Sequence, residues 1–299
     1  MLAILQGSIS LGLIWAIMAI GVFLTFRILK SPDLTVEGSI ILGAGLCARM
    51  IANGANPFLA TFLAALLGCA AGFVTGVLHT KLKIPAILAG ILTMIGSYSV
   101  VIRVMGTSNI SLLRLTTVYT YLENMGLSGR NAVIVLSLII VTVIIALLYW
   151  FFGTELGSAI RATGNNRNMV RAQGINIDAM IILCLMISNG LVAMSGALVT
   201  QNQSFASVDM GSGTIVIGLA SVIIAEVLFN TRSFWGRLVS LVVGAVIYRL
   251  IIALVLEFGM APTDLRLFQA ITVAIALALP LIRERLSKIK LVNGGSKNA

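Results

Sequence analysis

Nine apolar runs follow one another along this chain, at residues 2–26, 38–53, 57–80, 84–105, 131–152, 177–200, 214–230, 235–256 and 266–283, and take up 190 of its 299 residues. A helix of about 20 apolar residues crosses a hydrocarbon layer roughly 30 Å thick. Hydrophobic types make up 59% of the chain and charged types 10%, where a soluble domain has about 45–50% and about 25%. Too little polar surface is left to cover a water-facing globule. A mean hydropathy of +1.07 equally excludes a disordered chain. An all-α polytopic membrane protein is therefore expected, one unit over residues 1–299 with about nine spans, eight to ten by length. Runs 38–53 and 214–230 are short for the layer, which predicts a broken second span, or a tilt in one or both.

The net charge is +10, from 20 Lys and Arg against 10 Asp and Glu. In a soluble chain that excess would point to nucleic acid. Here the basic residues lie between the apolar runs, the pattern of a cytoplasmic membrane face, and no nucleic-acid partner is expected. With residues 153–176 on the cytoplasmic side, alternation puts 14 basic residues there, among them Arg27, Lys30, Lys81, Arg161, Arg171 and Arg237, and leaves 6 elsewhere. The N-terminus is then outside and the C-terminus, with the basic tail 284–299, in the cytoplasm. Cys47, Cys69 and Cys184 all lie within apolar runs without a CxxC or Cys/His pattern, so neither a disulfide framework nor a metal site is indicated. The first run has no basic leader region and no small-residue cleavage site, and reads as a span.

The polar segment 153–176, GTELGSAIRATGNNRNMVRAQGIN, is the most informative stretch. Thr154 can N-cap a helix with Glu155 in its first turn. Leu156, Ile160 and Thr163 follow at helical spacing, with Arg161 among them, and Gly164-Asn165-Asn166 is expected to stop that helix. Asn168 can cap a second short helix ending at Gly174. Two readings are open: a rigid knob that docks into a groove of a soluble partner, or a solvated loop whose arginines set topology.

The same arrangement, T-E-L-G-S-A-I-R-A-T-G-N-N-R-N-M-V-R-A-Q-G, resembles the coupling-helix region of permease subunits in bacterial ABC importers of the branched-chain amino acid/ribose class. SPDLTVEGSIILGAG (31–45), the block 187–229 and the block 248–280 resemble the tryptophan/tyrosine-type uptake subgroup of that class in collinear order. Ala206-Ser207 and Ala225 depart from the pattern, where Ala-Asp and Gly are commoner. The resemblance implies a permease that binds separate ATPase subunits and receives its solute from an extracytoplasmic binding protein. It makes Glu155, Leu156, Ile160, Arg161, Gly164, Asn165, Asn166, Arg171 and Gly174 the expected ATPase-coupling residues. No GxxxxGK[ST] motif occurs, so no cofactor is expected in this chain, and ATP and Mg would sit on the partner ATPase. The subgroup often uses one permease gene, which implies a homodimer in the bacterial cytoplasmic membrane with the solute crossing at its two-fold interface.

Segment 27–38, RILKSPDLTVEG, is interrupted by Pro32 and carries Asp33, Thr35 and Glu37 at spacing two. It reads either as a discontinuous helix lining the transport path, with a half-helix N-terminus at Gly38-Ser39, or as a turn in which Asp33 or Glu37 caps the next helix and pairs with Lys30. The resemblance favours the path. Arg249, deep in the eighth run, either meets a substrate carboxylate, snorkels, or pairs with Glu257. Glu226 reads as an ion-pair partner of Arg232 or of an arginine of the coupling segment. Asn189 and Ser195 can hydrogen-bond between helices, and Asp33, Thr35, Glu37, Asn189 and Arg249 are the candidate path residues. Gly68, Gly72 and Gly76 form a GxxxGxxxG packing stripe.

Three function classes compete. An ABC permease needs only a path and a coupling knob. An ion-driven transporter would need intramembrane acids, and within the spans only Asp178 and Glu226 are acidic, both near ends. An intramembrane enzyme would need a motif such as HExxH, GxSxG or a pair of intramembrane Asp residues, which the chain lacks. The permease reading is preferred, for an amino acid of aromatic type by resemblance, with a nucleoside or a sugar as the alternative cargo.

Overall fold

Apolar runs become helices almost one for one. The computed structural model describes residues 2–124, 126–127, 129–229, 231, 233–257, 267–272 and 274. Its long helices are α1 (Leu2–Phe23), α2 (Thr35–Ala52), α3 (Pro57–Thr80), α4 (Ala86–Met105), α6 (Gly129–Gly153), α9 (Ile177–Gln203), α10 (Thr214–Leu228) and α11 (Phe234–Glu257). The remaining elements are short: β1 (Asn109–Ser111), α5 (Val118–Glu123), α7 (Glu155–Asn165), α8 (Arg167–Ala172) and β2 (Phe205–Ser207). Among the described residues, eight helices are long and apolar enough to cross a membrane. The ninth expected span, 266–283, lies mostly outside the described residues, as does the tail 284–299.

Helix α9 is the central post, flanked by α1, α2 and α3. Small residues let these backbones approach: a Cβ at Gly68, Gly72 or Gly76 would press on Ala193, Leu185 or Ile182 of α9. The polar elements gather at two ends. At one end α7 and α8 form a knob beside the end of α1 and the start of α9. At the other, β1 pairs antiparallel with β2, Asn109 opposite Ser207 and Ser111 opposite Phe205.

The interruption expected within the second span sits in front of it instead. Helix α1 loosens into a π-turn at Leu24–Ile28, Lys30 adopts φ +54°, and α2 is continuous from Thr35. Its N-terminus is therefore at Thr35, not at Gly38-Ser39, because the Asp33 carboxylate takes the Thr35 N–H at 2.9 Å. Gly38 lies one turn inside, packed on Ser97 of α4. The other short span, α10, also starts within the bundle. After β2 the chain turns back along α2, and the Gly213 N–H at the head of α10 reaches the Glu37 carboxylate at 2.9 Å. Both short runs are thus helices that begin inside, each headed by a carboxylate that accepts from its first-turn amides. Glu37→Ala is expected to cost about 1 kcal/mol through loss of the α10 cap, read as a lower Tm of the solubilised protein; an unchanged Tm would remove that role.

Candidate functional site

The site is built from three parts stacked along the bundle: the knob, the non-helical segment 29–34, and a buried polar network above it. In the knob, Thr154 caps α7 by accepting from the Gly157 N–H. Helix α7 runs through Gly164 and Asn165, further than the Gly-Asn-Asn signal predicts. The second short helix is capped by Asn166, not Asn168: the Asn166 side chain accepts from the Met169 N–H at 3.1 Å. One asparagine ends α7 and heads α8, which makes the two helices a tight corner.

The expected coupling residues divide by face. Ile160 is fully buried beneath the knob, with Thr163 and Val170, and anchors it. Glu155, Leu156, Asn165, Asn166, Arg171 and Gly174 are exposed, and Leu156 and Met169, each 49% exposed, form the apolar part of the outer face. Arg161 turns inward, away from the rim position expected for it. It donates to the Phe152 carbonyl at 2.6 Å and lies 5.8 Å over the Phe234 ring, tying α7 to the ends of α6 and α11.

The knob is locked onto segment 29–34. A Cβ on Gly164 would collide with the Ile28 carbonyl oxygen, so only glycine permits this approach. Lys30 donates to the Asn165 carboxamide at 2.9 Å and does not pair with Asp33 or Glu37. Lys30 holds a left-handed backbone that a non-glycine residue rarely adopts. Three residues further on, Asp33 is 1% exposed. Besides the Thr35 amide it accepts from Asn189 Nδ2 at 2.7 Å, and Asn189 Oδ1 accepts from the Ser39 hydroxyl at 2.7 Å. Thr35 continues the chain sideways, 2.7 Å from the Thr75 hydroxyl, which donates to Thr93 at 2.9 Å. The network thus joins segment 29–34 and α2, α3, α4 and α9. Asn189 stands twelve residues into α9, about 18 Å above its start, near mid-bundle.

Of the candidate path residues, Asp33, Thr35 and Asn189 come together, facing one another and buried. Glu37 stands apart at the head of α10. Arg249 is elsewhere: its guanidinium lies 4.4 Å over the Trp15 ring, between α1 and α11, and forms no pair with Glu257. Glu226 pairs with Arg27 at the end of α1; Arg232 lies outside the described residues. Ser195 donates to the Ile14 carbonyl at 2.9 Å, an interhelical bond as expected. Thr75, Thr93 and Met169 escaped the sequence reading, and Ser39 was expected at a helix start and not as a partner of Asn189. Their signal was present: Thr75 lies between Gly72 and Gly76, and Thr93 and Ser97 share one face of α4 with Ala89, a small polar stripe suited to helix contacts.

Such an arrangement has the form of a lever. The knob rests on Ile28 to Lys30, and Pro32 connects these to the hydrogen bonds that join several helices at mid-depth.

Comparison with known proteins identifies the family. Residues 4–279 match the family model described as branched-chain amino acid transport system / permease component. The chain is 43% identical to the tyrosine transport system permease protein of Clostridioides difficile over 277 residues, 92% of this chain and 91% of that one. It is 31% identical to the uncharacterized protein RP368 of Rickettsia prowazekii, covering 92% and 97%. It is 28% identical to the ribose import permease protein RbsC of Escherichia coli, covering 78% and 71%. No solved structure matches. A polytopic helical bundle, a family match over nearly its whole length and two relatives named as transport permeases make this chain a member of the branched-chain amino acid transport system permease family, an ABC-transporter permease.

Proposed function

We propose that the chain is the membrane-spanning subunit of an ATP-driven importer for an amino acid of aromatic type, acting as a homodimer in the bacterial cytoplasmic membrane. An external binding protein delivers the solute, and separate ATPase subunits, which hold ATP and Mg, dock on the knob. ATP-driven closure of the ATPases pushes α7 and α8, segment 29–34 shifts against the Asp33–Asn189 clamp, and the spans at the two-fold axis open alternately to either side. The observation that carries this reading is the 43% identity to a tyrosine permease along 92% of the chain. The outward Leu156 and Met169 with exposed Asn and Arg around them suit a docking face. The charges favour the knob as the cytoplasmic end and the N-terminus as external: Arg27, Lys30, Lys81, Lys83, Arg161, Arg167, Arg171 and Arg237 cluster at the knob end, against Arg49, Arg103, Arg114 and Arg130 at the other.

Reconstitution with a cognate ATPase and binding protein tests the proposal. Uptake of tyrosine or tryptophan that requires ATP is expected. ATP-independent uptake by the permease alone, or uptake of ribose in place of aromatic amino acids, would overturn it.

A further inference from the structure

Beside the knob is a polar cavity of about 250 Å³ lined by Arg27, Ile28, Arg161, Asn165, Phe234 and Arg237. Three arginines line it, and among the described residues Glu226, paired with Arg27, is the one acid next to them. Arg161 and Arg237 are held by neutral acceptors, the carbonyls of Phe152 and Thr231, so among the described residues their charges are oriented but not balanced. A second groove, lined by Tyr149, Trp150, Phe152, Thr154, Arg161 and Phe234 among others, shares Arg161 and Phe234 with the basic cavity. Its outer rim is aromatic and exposed: Trp150 is 70% exposed, and Tyr149 packs edge-on against Trp235 with centroids 5.6 Å apart. Exposed Trp and Tyr at one helix level mark the boundary between acyl chains and head groups.

We infer that this paired groove and cavity is a binding site for an acidic phospholipid of the knob-side leaflet. The acyl chain lies in the aromatic groove between α6 and α11, and the phosphate oxyanions sit among Arg27, Arg161 and Arg237. Guanidinium forks suit phosphate oxygens, and a phosphate there would supply the missing negative charge. Phe234 and the apolar groove explain why a lipid fits better than free phosphate. The occupied site would brace Arg161, and with it the knob, whatever solute the protein carries.

Native mass spectrometry of the full-length protein, titrated with phosphatidylglycerol or phosphatidylcholine, tests the site. Wild-type protein is expected to prefer phosphatidylglycerol, and Arg237→Gln to weaken that binding about tenfold, while Arg103→Gln at the opposite end leaves it unchanged. In wild-type protein alone, the preference is expected to collapse near 1 M salt, where the Debye length is about 3 Å. Equal binding of the two lipids, an Arg237→Gln variant that binds phosphatidylglycerol like wild type, or displacement of the lipid by millimolar inorganic phosphate would overturn the assignment.

Discussion

Gly164→Ala is expected to cut ATP-driven uptake at least about fivefold while ATP hydrolysis by the assembled transporter is less affected, the range in which coupling energies between sites fall. The substitution adds one methyl group and separates two physical situations by sign. In an unpacked helix, alanine for glycine stabilises by about 1 kcal/mol. Here the new Cβ would press on the Ile28 carbonyl oxygen and the Leu29 backbone. Those are main-chain atoms that cannot rotate aside, and overpacking of this kind costs about 1–3 kcal/mol. The knob must lift away from segment 29–34, and the Lys30–Asn165 bond goes with it. Uptake and ATP hydrolysis measured together in proteoliposomes check this. A higher Tm with intact uptake would mean that the knob does not bear on the segment.

Asn189→Leu is expected to be the more damaging change to the bundle itself. Leucine keeps the approximate volume but leaves one Asp33 carboxylate oxygen and the Ser39 hydroxyl without their partner, both within the buried core. Each buried polar group stranded in this way costs about 1–3 kcal/mol, more when it is charged, so a loss of about 3 kcal/mol or more is expected. A marked drop in the Tm of the solubilised protein, with loss of uptake, is the corresponding measurement. Asp33→Asn should be milder: the Asn189 amide can turn over, and the Ser39 hydroxyl can then accept from it. Equal Tm values for wild type and Asn189→Leu would show that the network does not clamp the helices.

Much of this was legible because lipid leaves a chain few choices. The spans, the Thr154 cap, the glycine stripe of α3 and the knob of α7 and α8 follow from local pattern. Errors fell where a partner distant in sequence decided the outcome. The start of α2 moved to Thr35 because Asp33, braced by Asn189 from 156 positions away, supplies its first acceptor. Arg161 reads as a surface residue until Phe152 and Phe234 are placed around it. Glu226 found Arg27 at the far end of another helix. Asp33, Thr35 and Glu37 at spacing two look like one constellation, yet Glu37 serves α10.

The sequence by itself determined that this protein lives in a membrane, where the eight described spanning helices run, and that one polar segment between them carries helix caps. Hydrophobic length and local capping carry that information, because each run must satisfy its own backbone. Only the tertiary structure decided what the standing segment leans on. Whether Gly164 is a flexible stop or a close-contact point, and whether Asp33 faces a pore or an asparagine, depends on which helices are neighbours. That choice is made by the summed packing of small residues along α3 and α9, and no single stretch of sequence contains it.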